Sequence, residues 1–408
     1  MADALGSESP HNATSTRNSR RQATRFTDAR RKRCEAFDID LKAMPQTVRD
    51  AWSCDSPLVA IVCSRVGHDA RRHRTMSQQI AASLQQIKRD NATLLIADHT
   101  AIDPWVTHAA DVFHVPSIRI EKTDERDRLM IAMADRVDAV YVRPGGKVTA
   151  MLRQRAAIQS GIVQIAIDNS GQQRALEWDL LGAGAVGRYL PENASDKPAF
   201  VSSDDTPPFP TMDAVDWASY LVHCTRSVSG PWPGQTWDQY RDDLLLADPQ
   251  SASRDAIDAL CRIVRKQRLV AGAITSRRTT PVVCLSAVPL PELLARRTYR
   301  SHLHRWDYEP FGIAIRRDAA IRFGIEPVIY GDRDLENRLT DRERFRFQAT
   351  GKTHDWTAEQ EWRSASDIDL SRFDTNDVCI FVPDQTAAAR AASVNCGRWQ
   401  IVVTDACV

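Results

Sequence analysis

Residues 58–63 read Leu58-Val59-Ala60-Ile61-Val62-Cys63, an unbroken apolar run. A strand with one wet face alternates apolar and polar residues, so a run like this fits a strand covered on both faces. Downstream, a polar loop over 64–74 leads to Met76, Ile80, Leu84 and Ile87 at helical spacing. The pattern then repeats: strand at 93–97, short helix at 108–113, strand at 117–120, helix at 124–136, strand at 139–142, helix at 148–159 and strand at 162–167. Strands alternating with helices predict right-handed crossovers and a parallel α/β sheet.

The chain has 408 residues, enough for two to three domains. Residues 1–35 are rich in Ser, Thr and Arg with little apolar content, so a disordered basic tail is expected there. Its run Arg30-Arg31-Lys32-Arg33 could touch a phosphate backbone, but reads more simply as a solvated tail. The α/β domain is placed at 36–190. A linker containing Pro207-Pro208 is placed at 191–211, and an α+β domain at 212–408. In that last part short strands (220–224, 282–286, 312–315, 328–330, 378–382, 400–404) mix with one clear helix at 253–268.

Formal net charge is +1, so overall charge does not steer the whole chain to nucleic acid or membrane. No apolar run approaches the roughly 20 residues of a spanning helix, and no apolar leader opens the chain. Nine Cys, none in C-x-x-C and several inside apolar runs, read as core thiols of a reducing compartment. The expectation is a cytoplasmic protein without a metal site. His302, His304 and His354 read as surface or loop residues.

In an open parallel sheet, ligands bind beyond the carboxyl ends of the strands. Three loops leave such ends: Ser64-Arg65-Val66-Gly67, Asp98-His99-Thr100 with Asp103, and Arg143-Pro144-Gly145-Gly146-Lys147, followed by Thr149. Two are cationic and contain Gly, and each precedes a helix start, where free N–H groups favour an anion. A phosphorylated ligand held by Arg65, Arg143 and Lys147 is the reading they support. Gly182-Ala183-Gly184-Ala185-Val186-Gly187 matches G-x-G-x-x-G, but no long helix follows it, so it reads as a Gly-rich loop.

The stretch from Val59 to Ile167 resembles the Rossmann-like SLOG superfamily, which joins the DNA-processing protein DprA to the LOG phosphoribohydrolases. Val59–Arg65 resembles its opening strand; Ala101-Ile102-Asp103 with His108-Ala109-Ala110 resembles a DprA motif; Pro144–Thr149 resembles the LOG loop. Val148 replaces that loop's third Gly, and Leu152 stands where the LOG catalytic Glu would be. A Leu cannot move a proton, so the resemblance implies nucleotide binding rather than hydrolysis.

In the second half, Trp356-Thr357-Ala358-Glu359-Gln360-Glu361-Trp362-Arg363 carries paired carboxylates. On a strand, Glu359 and Glu361 would share a face and one could do acid/base work. The plainer reading is an exposed edge with Arg363 as ion-pair partner. The order of a strand ending in His223 and Arg226, a helix, a strand ending in Ser286 and a final Glu resembles ADP-ribosyltransferase-like folds. It also resembles domains found with bacterial abortive-infection defence, through Trp306–Ile313 and Glu361-Trp362-Arg363. That resemblance implies NAD held by His223 or Arg226, ribose supported by Ser286, and Glu361 opposite the oxocarbenium ion. Aromatic residues crowd this half, among them Trp232, Trp237, Trp306, Tyr308 and Trp356.

Three functional readings stay open. One is a bacterial sensor–effector with a nucleotide-binding first domain and an NAD-using second domain. Another is a non-catalytic, DNA-associated, DprA-like binding protein whose basic tail adds phosphate contacts. The third is a nucleotide-processing hydrolase. Whether the chain is a homo-oligomer also stays open.

Overall fold

The computed structural model describes residues 26–40, 46–67, 69–121, 125–159, 161–167, 174–189, 208–246, 253–272, 281–300, 305–350 and 355–405. The chain divides into two compact units: Met1–Ala194 with Thr236–Ala252, and Ser195–Gln235 with Ser253–Val408.

The first unit is an α/β sheet of six parallel strands: β1 (Leu58–Cys63), β2 (Thr93–Ala97), β3 (Ser117–Ile120), β4 (Arg136–Tyr141), β5 (Val163–Ile167) and β6 (Val186–Tyr189). Their order is β3-β2-β1-β4-β5-β6, the doubly wound order of Rossmann-like folds. The helices are α1 (residues 26–36), α2 (Gln46–Trp52), α3 (Ala70–Arg89), α4 (Asp103–Phe113), α5 (Arg126–Met133), α6 (Lys147–Ile158) and α7 (Arg174–Gly182). Because side chains alternate along a strand, Val59 and Ile61 pack with Ile80 and Leu84 of α3. Leu58, Ala60 and Val62 pack on the other face with Met130 and Leu152. Both faces of β1 are therefore buried, as its apolar run requires. Each such buried aliphatic side chain contributes roughly 1.5–3 kcal/mol.

Three expectations are corrected. Residues 26–35 are not a solvated tail: α1 buries Arg30, Arg33 and Cys34. Arg30 donates to the carbonyls of Trp52, Cys54 and Ser56 and to Asp135; Arg33 donates to those of Ala132 and Met133 and to Asp135. The rest of the expected tail, residues 1–25, and most of the expected linker lie outside the described residues. The Gly-rich motif is not simply a loop, since it runs from the end of α7 into the edge strand β6. And helix α8 (Trp237–Leu245), expected in the second domain, belongs to the first unit, with Tyr240, Leu244 and Leu245 in the cluster that holds α3 and α4.

The second unit holds a mixed sheet of seven strands: β7 (Tyr220–Cys224), β8 (Val283–Ser286), β9 (Gly312–Arg316), β10 (Glu326–Pro327), β11 (Glu361–Ser364), β12 (Val378–Val382) and β13 (Gln400–Val403). Their order is β10-β11-β8-β7-β9-β12-β13. All pairs are antiparallel except β12 with β13, which are joined by the crossover helix Gln385–Asn395. Helix α9 (Ala256–Lys266) covers one face with Leu260 and Val264, against Leu221, Leu285 and Ile313. Trp217, Val288 and Leu293 cover the other face, against Val222, Ala314 and Phe381. Gly312 sits where a Cβ would run into the His223 carbonyl and the Phe381 ring, so only glycine allows that approach.

Candidate functional site

In the first unit β2, β1 and β4 are neighbours in a parallel sheet, so the three predicted loops leave one edge together. The first and third bond to each other, while the second is tied to Arg119 and Arg126. The Arg143 amide donates to Ser64 Oγ at 3.1 Å, its guanidinium donates to the Arg65 carbonyl, and Thr149 Oγ1 caps the Arg143 carbonyl. Gly145 at φ +69° makes the turn into α6, a conformation that favours glycine. His73, buried on α3, bonds the Gly67 carbonyl through Nε2 at 3.0 Å and Tyr240 Oη through Nδ1 at 3.0 Å, which holds the first loop in place.

The three helix starts differ. Asp69 caps α3, accepting from the Arg71 and Arg72 amides. The start of α4 has no side-chain cap, but Asp103 places a carboxylate in its first turn. Burial would raise its pKa, but bonds from the His99 amide, Thr107 and Arg119 hold it below the usual carboxylate range. Asp98 is also paired with Arg119, at 2.8 Å. The start of α6 at Gly146 carries no side-chain cap, and Arg65, Arg143 and Lys147 beside it are exposed. Of the three starts, that of α6 is the one with neither a side-chain cap nor an acidic residue in its first turn. Leu152 is fully buried in the core and faces no ligand.

In the second unit, His223, Arg226, Ser286, Glu359 and Glu361 all line one cavity of about 650 Å³, together with Arg300, Asp307, Tyr308, Glu309 and Trp356. Glu361 and Ser286 are direct partners across β11 and β8, so their side chains leave the same face. Glu359 is not on a strand. It ends the 3₁₀ turn Trp356–Glu359, and Gln360 at φ +44° turns the chain into β11.

The hydrogen bonds give each residue a distinct place. Ser286 Oγ donates to the Glu359 carbonyl at 2.7 Å and accepts from the Val288 amide at 3.1 Å. With Arg296 on the Ala358 carbonyl and the Ala287 amide on the Gln360 carbonyl, it fastens the turn that carries Glu359. Tyr308 Oη donates to Glu359 Oε1 at 3.1 Å. Glu361 takes a two-pronged bond from the fully buried Arg363, at 3.0 and 2.8 Å. Arg363 also donates to the Phe347 carbonyl and Gln348. The charge of Glu361 is thus offset inside the protein. The pairing with Arg363 expected from the sequence is present, but the exposed edge is not: β11 lies between β10 and β8, and Arg363 is fully buried.

His223 donates Nδ1–H to the Cys284 carbonyl at 2.9 Å, and burial pushes its pKa below the ordinary value. It is therefore a neutral imidazole. Strand alternation turns its side chain to the face of Leu221, away from Glu361. Burial pushes the Cys224 thiol up to about 12, which removes it as a nucleophile at neutral pH. Glu309 also has a raised pKa, chiefly from burial. Glu309 lies within the stretch Trp306–Ile313, whose resemblance gives it no role. Its signal was a carboxylate flanked by Tyr308 and Pro310 just before an apolar strand.

No protein-family model matches the chain, and no curated protein matches it. Among the described residues no group of three or more His, Cys, Asp or Glu is placed to hold a metal ion, and no helix is long and apolar enough to cross a membrane. His302, His304 and His354 lie outside the described residues.

Proposed function

We propose that this chain is a nucleotide-binding sensor joined to an effector that cleaves the nicotinamide–ribose bond of NAD, as the SLOG and ADP-ribosyltransferase resemblances imply. The observation that carries it is the meeting of Arg226, Ser286, Glu359 and Glu361, far apart in sequence, around one cavity, with His223 contributing to its wall from a strand on which its side chain turns to the other face. Its volume lies within the roughly 300–1,000 Å³ of small-molecule sites. Its carboxylates suit the cationic nicotinamide ring, and Trp356 offers that ring an aromatic partner. Arg226 and Arg300 suit the pyrophosphate.

The bonding pattern favours Glu359 over Glu361 for the reacting role, because Glu361 is already paired with Arg363. Nicotinamide leaves with the bonding electron pair, and positive charge develops on the ribose carbon. Glu359, held by Tyr308 and by the Ser286-fastened turn, offsets that charge, while Glu361 and Arg363 brace the strand behind it. Ser286 is a positioning residue. In the first unit the α6 start, with Arg65, Arg143 and Lys147, receives the phosphate of the sensed nucleotide. With Leu152 in the core, phosphoribohydrolase chemistry at that edge has no acid to use.

The test is nicotinamide release from NAD by wild type, Glu359→Gln and Lys147→Glu, with and without nucleoside phosphates. Release by wild type, lowered on the order of 100-fold by Glu359→Gln, is expected, since a charge aimed at a transition state is lost. In Lys147→Glu the response to nucleotide should be lost. Equal release by wild type and Glu359→Gln would refute the assignment. Binding without turnover would favour the non-catalytic reading.

A further inference from the structure

The end of β7 borders a second cavity. It measures about 680 Å³ and lies on the α9 side of the sheet. Where the first cavity is rich in carboxylates, this one is lined by Arg226, Arg262, Lys266 and Arg268 against a single acid, Asp367. Asp367 is already engaged: it pairs with Arg268 at 2.7 Å and accepts from the Ala271 amide at 2.8 Å. In a chain with a net charge of +1 this is a local excess of three positive charges in a concave wall. Like charges lining one cavity repel, and an anion placed among them relieves that repulsion.

The walls are built independently of these charges. Ala259, Arg262, Ile263 and Lys266 fall at helical spacing on one face of α9. The opposite wall is the loop Trp232-Pro233-Gly234. Gln235 Oε1 accepts from the Trp232 amide at 3.0 Å and from the buried Arg254 at 3.2 Å. The guanidinium groups of Arg254 and Arg262 lie 4.7 and 5.1 Å from the Trp232 ring centre. The buried indole is thus engaged with cations and serves to aim Arg262, not to stack a base. Thr225, buried, ties the end of β7 to the Phe311 carbonyl. A pre-set cradle spends little on ordering itself when a ligand arrives.

We propose that this basic cavity binds a polyphosphate group, with Arg226, Arg262, Lys266 and Arg268 as its contacts. The site shares Arg226 with the cavity of Glu359, but its other three cations do not line that cavity, and it does not depend on NAD chemistry. Two or more linked phosphates suit this lining because its cations come from three elements, the end of β7, α9 and the segment after it. Both a nucleoside triphosphate and an inorganic polyphosphate carry that chemistry.

The experiment is calorimetric titration of the full chain with tripolyphosphate and with ATP, in a Lys147→Glu background that weakens the first-unit site. Arg226 borders both cavities of the second unit, so the diagnostic variants are Arg262→Glu and Lys266→Glu. Tripolyphosphate binding that weakens by about tenfold or more in each variant, and less in Lys266→Gln, is expected for loss of charged phosphate contacts. Equal affinities for the two ligands would assign the site to the phosphates alone, and tighter ATP to a nucleotide. Lys266 is exposed, so its reversal is expected to leave the cradle folded, which an unchanged melting curve checks. Unchanged affinity in Lys266→Glu, or no binding of either ligand at millimolar concentration, would overturn the proposal.

Discussion

Glu309 shows what burial does to one carboxylate. Its pKa is raised by desolvation, with Arg297 and Arg226 pulling it back and Asp255 adding to the rise. The folded state therefore binds the proton more tightly than the unfolded one. The stability this contributes is present below the ordinary value of 4.5 and is lost as pH rises through the higher folded value. Glu309→Gln keeps the neutral form at every pH. The variant is expected to unfold at higher denaturant than wild type at pH 7.5, with the gap closing by about pH 4. Equal midpoints at pH 7.5 would mean that solvent or the nearby arginines already offset the charge. His223 runs the other way: its lowered pKa means that stability is lost as pH falls from 6.5. The two groups make stability fall off on both sides of the weakly acidic range.

Among elements, α1 depends on one carboxylate. Asp135 receives Arg30 and Arg33 at 2.8 and 2.7 Å and the Leu58 amide at 2.9 Å, so it joins α1 to the start of β1. Asp135→Ala leaves two buried guanidinium groups without their counter-charge, a loss of roughly 3–5 kcal/mol. That corresponds to a fall of roughly 10 °C in the melting temperature of a unit this size. A fall of only a degree or two would show that the carbonyl bonds of Arg30 and Arg33 suffice.

The same element marks the limit of what the sequence reveals. Strands β1, β2, β4 and β5 were legible because apolar runs such as Thr93–Ala97 have only one economical burial, whereas β3, with Ser117 and Arg119 exposed, was legible from the strand–helix alternation around it. Arg30 and Arg33 were read as solvated because their partners are mainly backbone carbonyls of Ala132, Met133, Cys54 and Ser56, which no side-chain pattern announces. Strand β6 was hidden by its glycine: Gly187 is there because a Cβ would meet the Ile167 side chain, a packing demand from another strand. In the candidate site, His223, Ser286 and Glu361 could be ordered along the chain. The Glu361–Arg363 pairing was legible at i,i+2, whereas the prominence of Glu359 comes from a turn fastened by Ser286, 73 residues earlier.

At the scale of the whole molecule the chain leaves its second unit to return to the first. The segment Thr236–Ala252 interrupts the second unit in sequence, yet α8 completes the core of the first. Tyr240 is fully buried there, bonded to His73 and edge-on to Trp105 at 5.8 Å. Through His73 it also supports the Gly67 loop at the carboxyl edge. Truncating such an aromatic leaves a cavity and costs roughly 3–5 kcal/mol. Tyr240→Ala, in the second half of the sequence, is therefore expected to lower hydrogen-exchange protection of amides in β1 and β4. Amides of β9 and β12 should keep theirs, because their core is the α9 cluster, which lacks Tyr240. Tyr240→Phe keeps the ring and loses only the bond to His73, so it should cost about 1 kcal/mol and loosen mainly the Gly67 loop. Protection lost in β9 and β12 but retained in β1 and β4 would place α8 with the second unit, as its position in the sequence suggests.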